Sequence, residues 1–338
     1  MSVSAEARAL HDQALIIDLH CDMLLASGLI GWDWAKRHRG HPIPGAPLLG
    51  HTDIPRLREG NVGCLALGIV SFPFLGPWRR RHVDGLFDRL DEKLTTHAAD
   101  LELSTTAQAI TGARARGKIA CFAGLEGVHG LMGKLDQLPR YKERGLVYVG
   151  FAHFTRNEAL RPMVGWGAGG KRGAGEGLTD FGRDLVDACN ELGLVIDVAH
   201  ANRAALLEIC ERSKAPVICS HTACTAVHPS PRGLDDEQIL AIARTGGVIG
   251  LIFVTPFIGS GGAAKIVKHL DHIRGLAGIG ACAIGSDWEG FAIYPPELDA
   301  CDKLPVLTQA MLDARWTPED VLAVYGGNFL RVLAEIRG

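Results

Sequence analysis

Eight short apolar runs, each followed by a longer stretch, constrain this chain more than any other feature. The runs are Leu15 to Leu19, Val62 to Val70, Ile119 to Leu125, Leu146 to Ala152, Leu194 to Ala199, Val217 to Cys219, Val248 to Phe253 and Ala281 to Ile284. Strands buried on both faces read as continuous Val, Ile, Leu and Ala, because neither side alternates with solvent. The segments between them, such as Asp180 to Leu192, Arg203 to Arg212, Asp235 to Arg244 and Ala263 to Leu276, carry the helical period. Repeated strand–helix units of this kind predict an α/β chain folded as a (β/α)8 TIM barrel. A barrel of this size folds as one unit, so residues 1–338 are expected to form a single domain. Gly165 to Gly177 reads as a long glycine-rich loop, a candidate lid.

Composition excludes several classes of function. With 47% hydrophobic and 22% charged residues the chain has the material for a large core, and disorder is not a reading. A net charge of -3 gives no general attraction to nucleic acid or to an anionic membrane. The one basic cluster, Arg79, Arg80 and Arg81, reads as a solvated loop rather than a phosphate site. The nine cysteines are odd in number and scattered through apolar runs (Cys64, Cys121, Cys219, Cys282), which fits reduced buried thiols and a cytoplasmic protein. No secretory signal, bilayer-length apolar stretch or anchor tail is legible, so no membrane partner is expected.

In this fold the active site is assembled at the carboxyl ends of the strands, and here those ends are unusually polar. The first run leads into His20, Cys21 and Asp22, the third into Glu126, the fourth into His153, the fifth into His200, the sixth into His221 and the eighth into Asp287. His20 and Asp22 are two apart, so on an extended strand they share a face. Alone, that pair also reads as a hydrogen-bonded couple, Glu126 as a loop salt bridge, and either of His200 and His221 as a satisfied core histidine. Five such residues on strands of one barrel instead supply ligands for two divalent ions of borderline softness, most naturally zinc. Water on zinc ionises near pH 7, which provides the nucleophile that an unactivated amide requires.

In this setting the chain resembles the membrane (renal) dipeptidase family of the amidohydrolase superfamily, as a soluble bacterial-type member. The resemblance runs from about Ile16 to the end. It rests on Ile17-Asp-Leu-His-Cys-Asp, His51-Thr-Asp-Ile-Pro-Arg-Leu-Arg-Glu-Gly, Gly124-Leu-Glu-Gly, Leu178-Thr-Asp-Phe-Gly-Arg, Val195-Ile-Asp-Val-Ala-His, Pro216-Val-Ile-Cys-Ser-His, Ile284-Gly-Ser-Asp and Gly326-Gly-Asn-Phe-Leu-Arg-Val.

The resemblance implies one zinc on His20, Asp22 and Glu126 and a second on Glu126, His200 and His221, the pair bridged by Glu126 and a water or hydroxide. It implies that His153 contacts substrate and stabilises the oxyanion, that Asp287 handles the proton of the attacking water, and that Arg232 holds the substrate's terminal carboxylate and so measures chain length. It further implies dipeptide substrates with free termini, L,L and L,D, and a homodimer. Gly233 stands where the family commonly has Asn, and Asp287-Trp-Glu-Gly where it has Asp-Phe-Asp-Gly. Both departures are expected to reshape the substrate pocket. Two alternatives stay open from the residues: a hydrolase of the same superfamily acting on a lactone, cyclic amide or ester, and a metal-binding barrel without catalysis.

Overall fold

All eight apolar runs form strands in the computed structural model, which describes residues 2–42, 47–165 and 176–338. They are β1 (Ile16–Cys21), β2 (Val62–Val70), β3 (Ile119–Glu126), β4 (Leu146–Gly150), β5 (Val195–Asp197), β6 (Val217–Cys224), β7 (Ile249–Leu251) and β8 (Cys282–Ile284). Each pairs in parallel with the next in chain order. The ring closes just beyond β8, where Cys21 bridges Trp288, the Asp287 N–H donates to the His20 carbonyl at 3.0 Å, and the Asp22 N–H to the Trp288 carbonyl at 2.9 Å. Two short strands, Leu101–Leu103 and Gly233–Leu234, add to β3 and β6.

The continuous hydrophobicity of the runs follows from this closure. Every residue of β2 and β3 is buried, since one face meets the barrel interior and the other the surrounding helices. Ala66, Phe122, Val147, Val195, Ile218 and Ala283 pack in one cluster with Phe329, Val332 and Leu333 of the last helix, Asn328–Arg337. That helix reaches the amino-terminal ends of the strands, where Arg337 Nη1 donates to the carbonyl of Leu146, the first residue of β4, at 3.0 Å. The opposite, carboxyl end is left for chemistry.

The four helices read from periodicity are present as Asp180–Leu192, Arg203–Arg212, Asp236–Arg244 and Gly262–Ala277. Thr179, Asn202 and Asp235 begin the first three by accepting the backbone N–H of Gly182, Ala205 and Gln238 at 3.1, 3.1 and 2.9 Å. Such a cap is typically worth about 1 kcal/mol. Asp235, read as helical, is therefore a cap, in a reciprocal box with Gln238.

The basic cluster requires a correction, because Arg79, Arg80 and Arg81 open the helix Arg79–Thr96 and are not a loop. Arginine is a good helix former, and neighbours hold these side chains: Arg79 pairs with Glu158 at 3.1 Å, Arg80 with Asp136 at 3.5 Å, and Arg81 lies over the Trp78 ring. All nine cysteines are free thiols, eight buried and Cys210 half-buried. Among the described residues no helix is long and apolar enough to cross a membrane. Of the candidate lid, residues 166–175 lie outside the described part of the structure.

Candidate active site

The polar residues at the strand ends converge. His20 ends β1 one residue before its last, Glu126 is the last residue of β3, and His221 lies within β6. His153, His200 and Asp287 each follow their strands by three residues. The Glu126 carboxylate lies at the centre, with its two oxygens facing different partners. Oε2 is 3.5 Å from His20 Nε2, which is itself 3.5 Å from Asp22 Oδ1. Oε1 is 3.0 Å from His200 Nε2, 3.5 Å from His221 Nε2 and 3.7 Å from His153 Nε2. Asp287 Oδ1 stands 3.9 Å from His20 Nε2. Two overlapping groups result, His20 with Asp22 and Glu126, and Glu126 with His200 and His221; Asp287 also groups with His20 and His221. The residues read from sequence as ligands thus lie together, as do His153 and Asp287 beside them.

Hydrogen bonds on the outer side of two imidazoles aim their inner nitrogens. Tyr148 Oη donates to the Leu19 carbonyl at 3.0 Å, so its oxygen accepts from His20 Nδ1 at 2.9 Å. Ser220 Oγ donates to Asp197 Oδ2 at 2.6 Å and accepts from His221 Nδ1 at 2.9 Å. Both rings thus turn Nε2 inward, the arrangement that metal-ligating histidines adopt, and against burial Tyr148, Glu126 and Asp22 raise the His20 imidazole well above its usual range. Asp18 is the counterpart of Asp197 across the barrel seam, accepting Ser286 N–H at 2.8 Å and Ser286 Oγ–H at 2.5 Å.

The electrostatics call for a cation. Burial holds the His200 and His221 imidazoles well below their usual range, so both are neutral, yet their Nε2 atoms are only 3.0 Å apart. Burial, with Glu126 next, raises the Asp22 carboxyl. Burial likewise holds Asp287 well above the carboxylate range, against the pull of His20 and with the help of Asp22 and Glu126. Asp22 and Glu126 place oxygens within 4.8 Å of each other. At an effective dielectric near 20, two full charges at that distance repel by roughly 3–4 kcal/mol. A divalent cation converts that repulsion into attraction. His20 Nε2, Asp22 Oδ1 and Glu126 Oε2 are moreover buried with no hydrogen-bond partner. Ligand atoms sharing a cation about 2.1 Å away stand roughly 3.4 Å apart, close to the spacings found here. The donor set therefore fits one or two borderline divalent ions.

The local backbone is built to allow this. A Cβ on Gly124 would lie 2.0 Å from the Tyr148 ring, and Gly127 has φ +78° with His153 Cβ 3.0 Å from where its own would stand. Both glycines of Gly124-Leu-Glu-Gly127 thus make room for the groups around Glu126. His200 and Asp287 adopt left-handed φ of 65° and 63°, a region sparsely populated by residues other than glycine and concentrated at functional sites.

A sequence model of the membrane dipeptidase family, peptidase family M19, matches residues 4–338. The chain belongs to this family. It is a metallo-dipeptidase, a metal-dependent hydrolase of small peptides. Similar folds are seen in a dipeptidase AC of family M19 (24% identity, TM-score 0.85, covering 96% of this chain and 98% of that one) and in the probable dipeptidase PvdM from Pseudomonas aeruginosa (20%, 0.86, 98% of both). A metallopeptidase from Rhodobacter sphaeroides liganded with a phosphinate mimic of the dipeptide L-Ala-D-Ala is similar too (23%, 0.83, 96% and 99%). Family membership supports a dipeptidase over a non-catalytic barrel and over a hydrolase of another substrate class.

Arg232 lies beside the His200 and His221 half of this dipeptidase site and is 1% exposed. Its Nη2 donates to the His221 carbonyl at 3.3 Å, its Nη1 approaches Met163 Sδ at 3.3 Å, and its Nε has no partner. Among the described residues no carboxylate forms an ion pair with it. A buried guanidinium left this way is costly unless a ligand's anion completes it.

Several supporting residues are not legible as functional: Tyr148, Asp18, Asp197, Ser220 and Ser286. Their signal is a polar residue inside an apolar run, or a serine immediately before a ligand, as in Ser220-His221 and Ser286-Asp287. The departures from the family pattern at Trp288 and Glu289 turn out to be structural ties. Glu289 is fully buried and accepts the backbone N–H groups of Gly50, His51 and Thr52 at 2.7, 2.7 and 2.8 Å, and the Thr52 hydroxyl at 2.8 Å. Trp288 Nε1 donates to the Leu298 carbonyl at 3.2 Å. Gly233 sits in the short strand beside β6, with its N–H on the Ser230 carbonyl at 3.1 Å.

Proposed function

We propose that this dipeptidase holds two zinc ions, bridged by Glu126, and cleaves dipeptides with free termini, L,L and L,D. The observation that carries the reading is the division of Glu126, one oxygen toward His20 and Asp22 and the other toward His200 and His221. The tolerance of a D residue draws on the family resemblance and on the L-Ala-D-Ala mimic held by the similar Rhodobacter protein. The metal pair, when bound, polarises the scissile carbonyl and lowers the pKa of a water to near neutrality.

The chain's own residues supply the rest. Arg232 binds the terminal carboxylate through its unpartnered guanidinium edge. His153, beside Glu126 Oε1, donates to the carbonyl oxygen as it gains charge, a contribution typically near 3 kcal/mol. Asp287 takes the proton of the attacking water and returns it to the departing amine. Nine unpaired thiols support a reducing compartment, the cytoplasm, as its location.

Blocking the substrate tests the reading. Methyl esterification of a good dipeptide is expected to lower kcat/KM by about 100-fold, because Arg232 is then buried without its anion. Arg232→Gln is expected to lose most of that discrimination. Equal cleavage of free and esterified dipeptide by the unmodified enzyme would contradict the role of Arg232.

A further inference from the structure

Beside the carboxylate cluster lies a cavity of about 520 Å3 whose inner wall includes Asp22 and His153. Its remaining walls are made by Leu25, Val70, Phe72, Phe154, Val164 and Phe291. Asp22 and His153 are the only ionisable groups among its described lining residues, and both belong to the site already described. Thr155 adds a hydroxyl, but that oxygen is engaged by His129 Nε2 at 3.0 Å. Among the described lining residues a polar or charged side chain entering here would meet no ionisable partner beyond Asp22 and His153, whereas an apolar one would lose only its contact with water.

The place of the cavity relative to Arg232 says which end of a substrate it serves. Arg232 stands with His200 and His221, its Nη2 on the His221 carbonyl, and it does not line the cavity. The cavity touches Asp22, in the other ligand group, and also His153, which faces Glu126 Oε1, while Arg232 lines none of it. A dipeptide with its carboxylate at Arg232 and its scissile carbonyl over Glu126 must place its amino-terminal residue on the Asp22 side.

We infer that this cavity receives the side chain of the amino-terminal residue and selects for large apolar side chains, aromatic or branched. The inference rests on the proposed dipeptide orientation. A volume of about 520 Å3 falls in the range of pockets that bury sizeable organic groups, so the largest apolar side chains are admitted. Phenylalanine or leucine at the amino-terminal position should raise kcat/KM over alanine by roughly 10- to 100-fold.

Two mirrored dipeptide series test this, Xaa-Ala and Ala-Xaa, with Xaa as Ala, Leu, Phe, Asp or Lys, assayed on the metal-loaded enzyme. The expected result is that Phe-Ala and Leu-Ala exceed Ala-Ala by roughly 10- to 100-fold, that Asp-Ala and Lys-Ala fall below it, and that the Ala-Xaa series spreads less. A flat Xaa-Ala series, or a preference confined to Ala-Xaa, overturns the inference while leaving the dipeptidase reading in place. Failure to cleave any member of either series overturns both.

Phe291→Asp supplies a second arm. Phe291 is 43% exposed with φ 56°, a left-handed conformation that aspartate tolerates better than phenylalanine, so folding is retained and is checked by its melting curve. The ratio of Phe-Ala to Ala-Ala turnover is expected to fall several-fold and Lys-Ala to rise. An unchanged ratio contradicts the assignment of the cavity.

Discussion

Asp287→Asn lowers kcat by roughly 100- to 10,000-fold while the protein keeps its metal, if Asp287 is the group that moves the proton. The substitution is nearly isosteric, and Asn tolerates the left-handed φ of 63° at this position. The backbone ties survive, because the Asp287 N–H bonds to the His20 carbonyl and the Asp287 carbonyl accepts from the Tyr294 hydroxyl. What is lost is the carboxyl alone. Burial already holds that carboxyl well above its ordinary range, which moves a weak base toward the strength that general acid–base work at neutral pH demands. Metal content measured on the same preparation separates the alternatives. Loss of metal together with activity would make Asp287 a ligand, and undiminished turnover would remove it from the reaction.

Glu126→Gln has the larger effect on metal. Among the described residues no other side chain has both its terminal atoms facing ligands of the two groups, at 3.0 and 3.5 Å on one oxygen and 3.5 Å on the other. Glutamine keeps one acceptor and turns an NH2 toward nitrogens that already point inward. Removing an outer partner of a metal ligand typically costs 10- to 100-fold in affinity, and loss of the bridging ligand should exceed about 100-fold. Equilibrium dialysis against zinc reads this directly, and the rise in melting temperature that zinc gives the unmodified enzyme should largely vanish in the variant. Unchanged zinc affinity would show that Glu126 does not bridge.

The barrel is legible in the sequence because its strands are buried on both faces and so lack the alternation that would blur them. β5, β7 and β8 are only three residues long, yet β5 and β7 sit inside longer apolar runs whose remaining residues are also buried. The ligands are legible because each lies at the carboxyl end of an apolar run. What orients them is not, because it depends on pairings distant in sequence. Tyr148 meets His20 across 128 positions, and Ser286 meets Asp18 across 268. No local period carries such contacts. Glu289 is the clearest case: as a change from the family pattern beside Asp287 it reads as a pocket residue, while its carboxylate is spent on the backbone of Gly50 to Thr52. The apolar cavity is equally hidden, since Leu25, Val70, Phe154 and Phe291 come from four separate segments.

The measurement that bears most directly on the central claim is a zinc titration of metal-stripped enzyme, with hydrolysis of a free dipeptide followed at each addition. Activity should be absent at the start and reach its plateau at two equivalents of zinc per chain, as the two ligand groups sharing Glu126 require. Full activity before any metal is added, or a plateau at one equivalent, would contradict it.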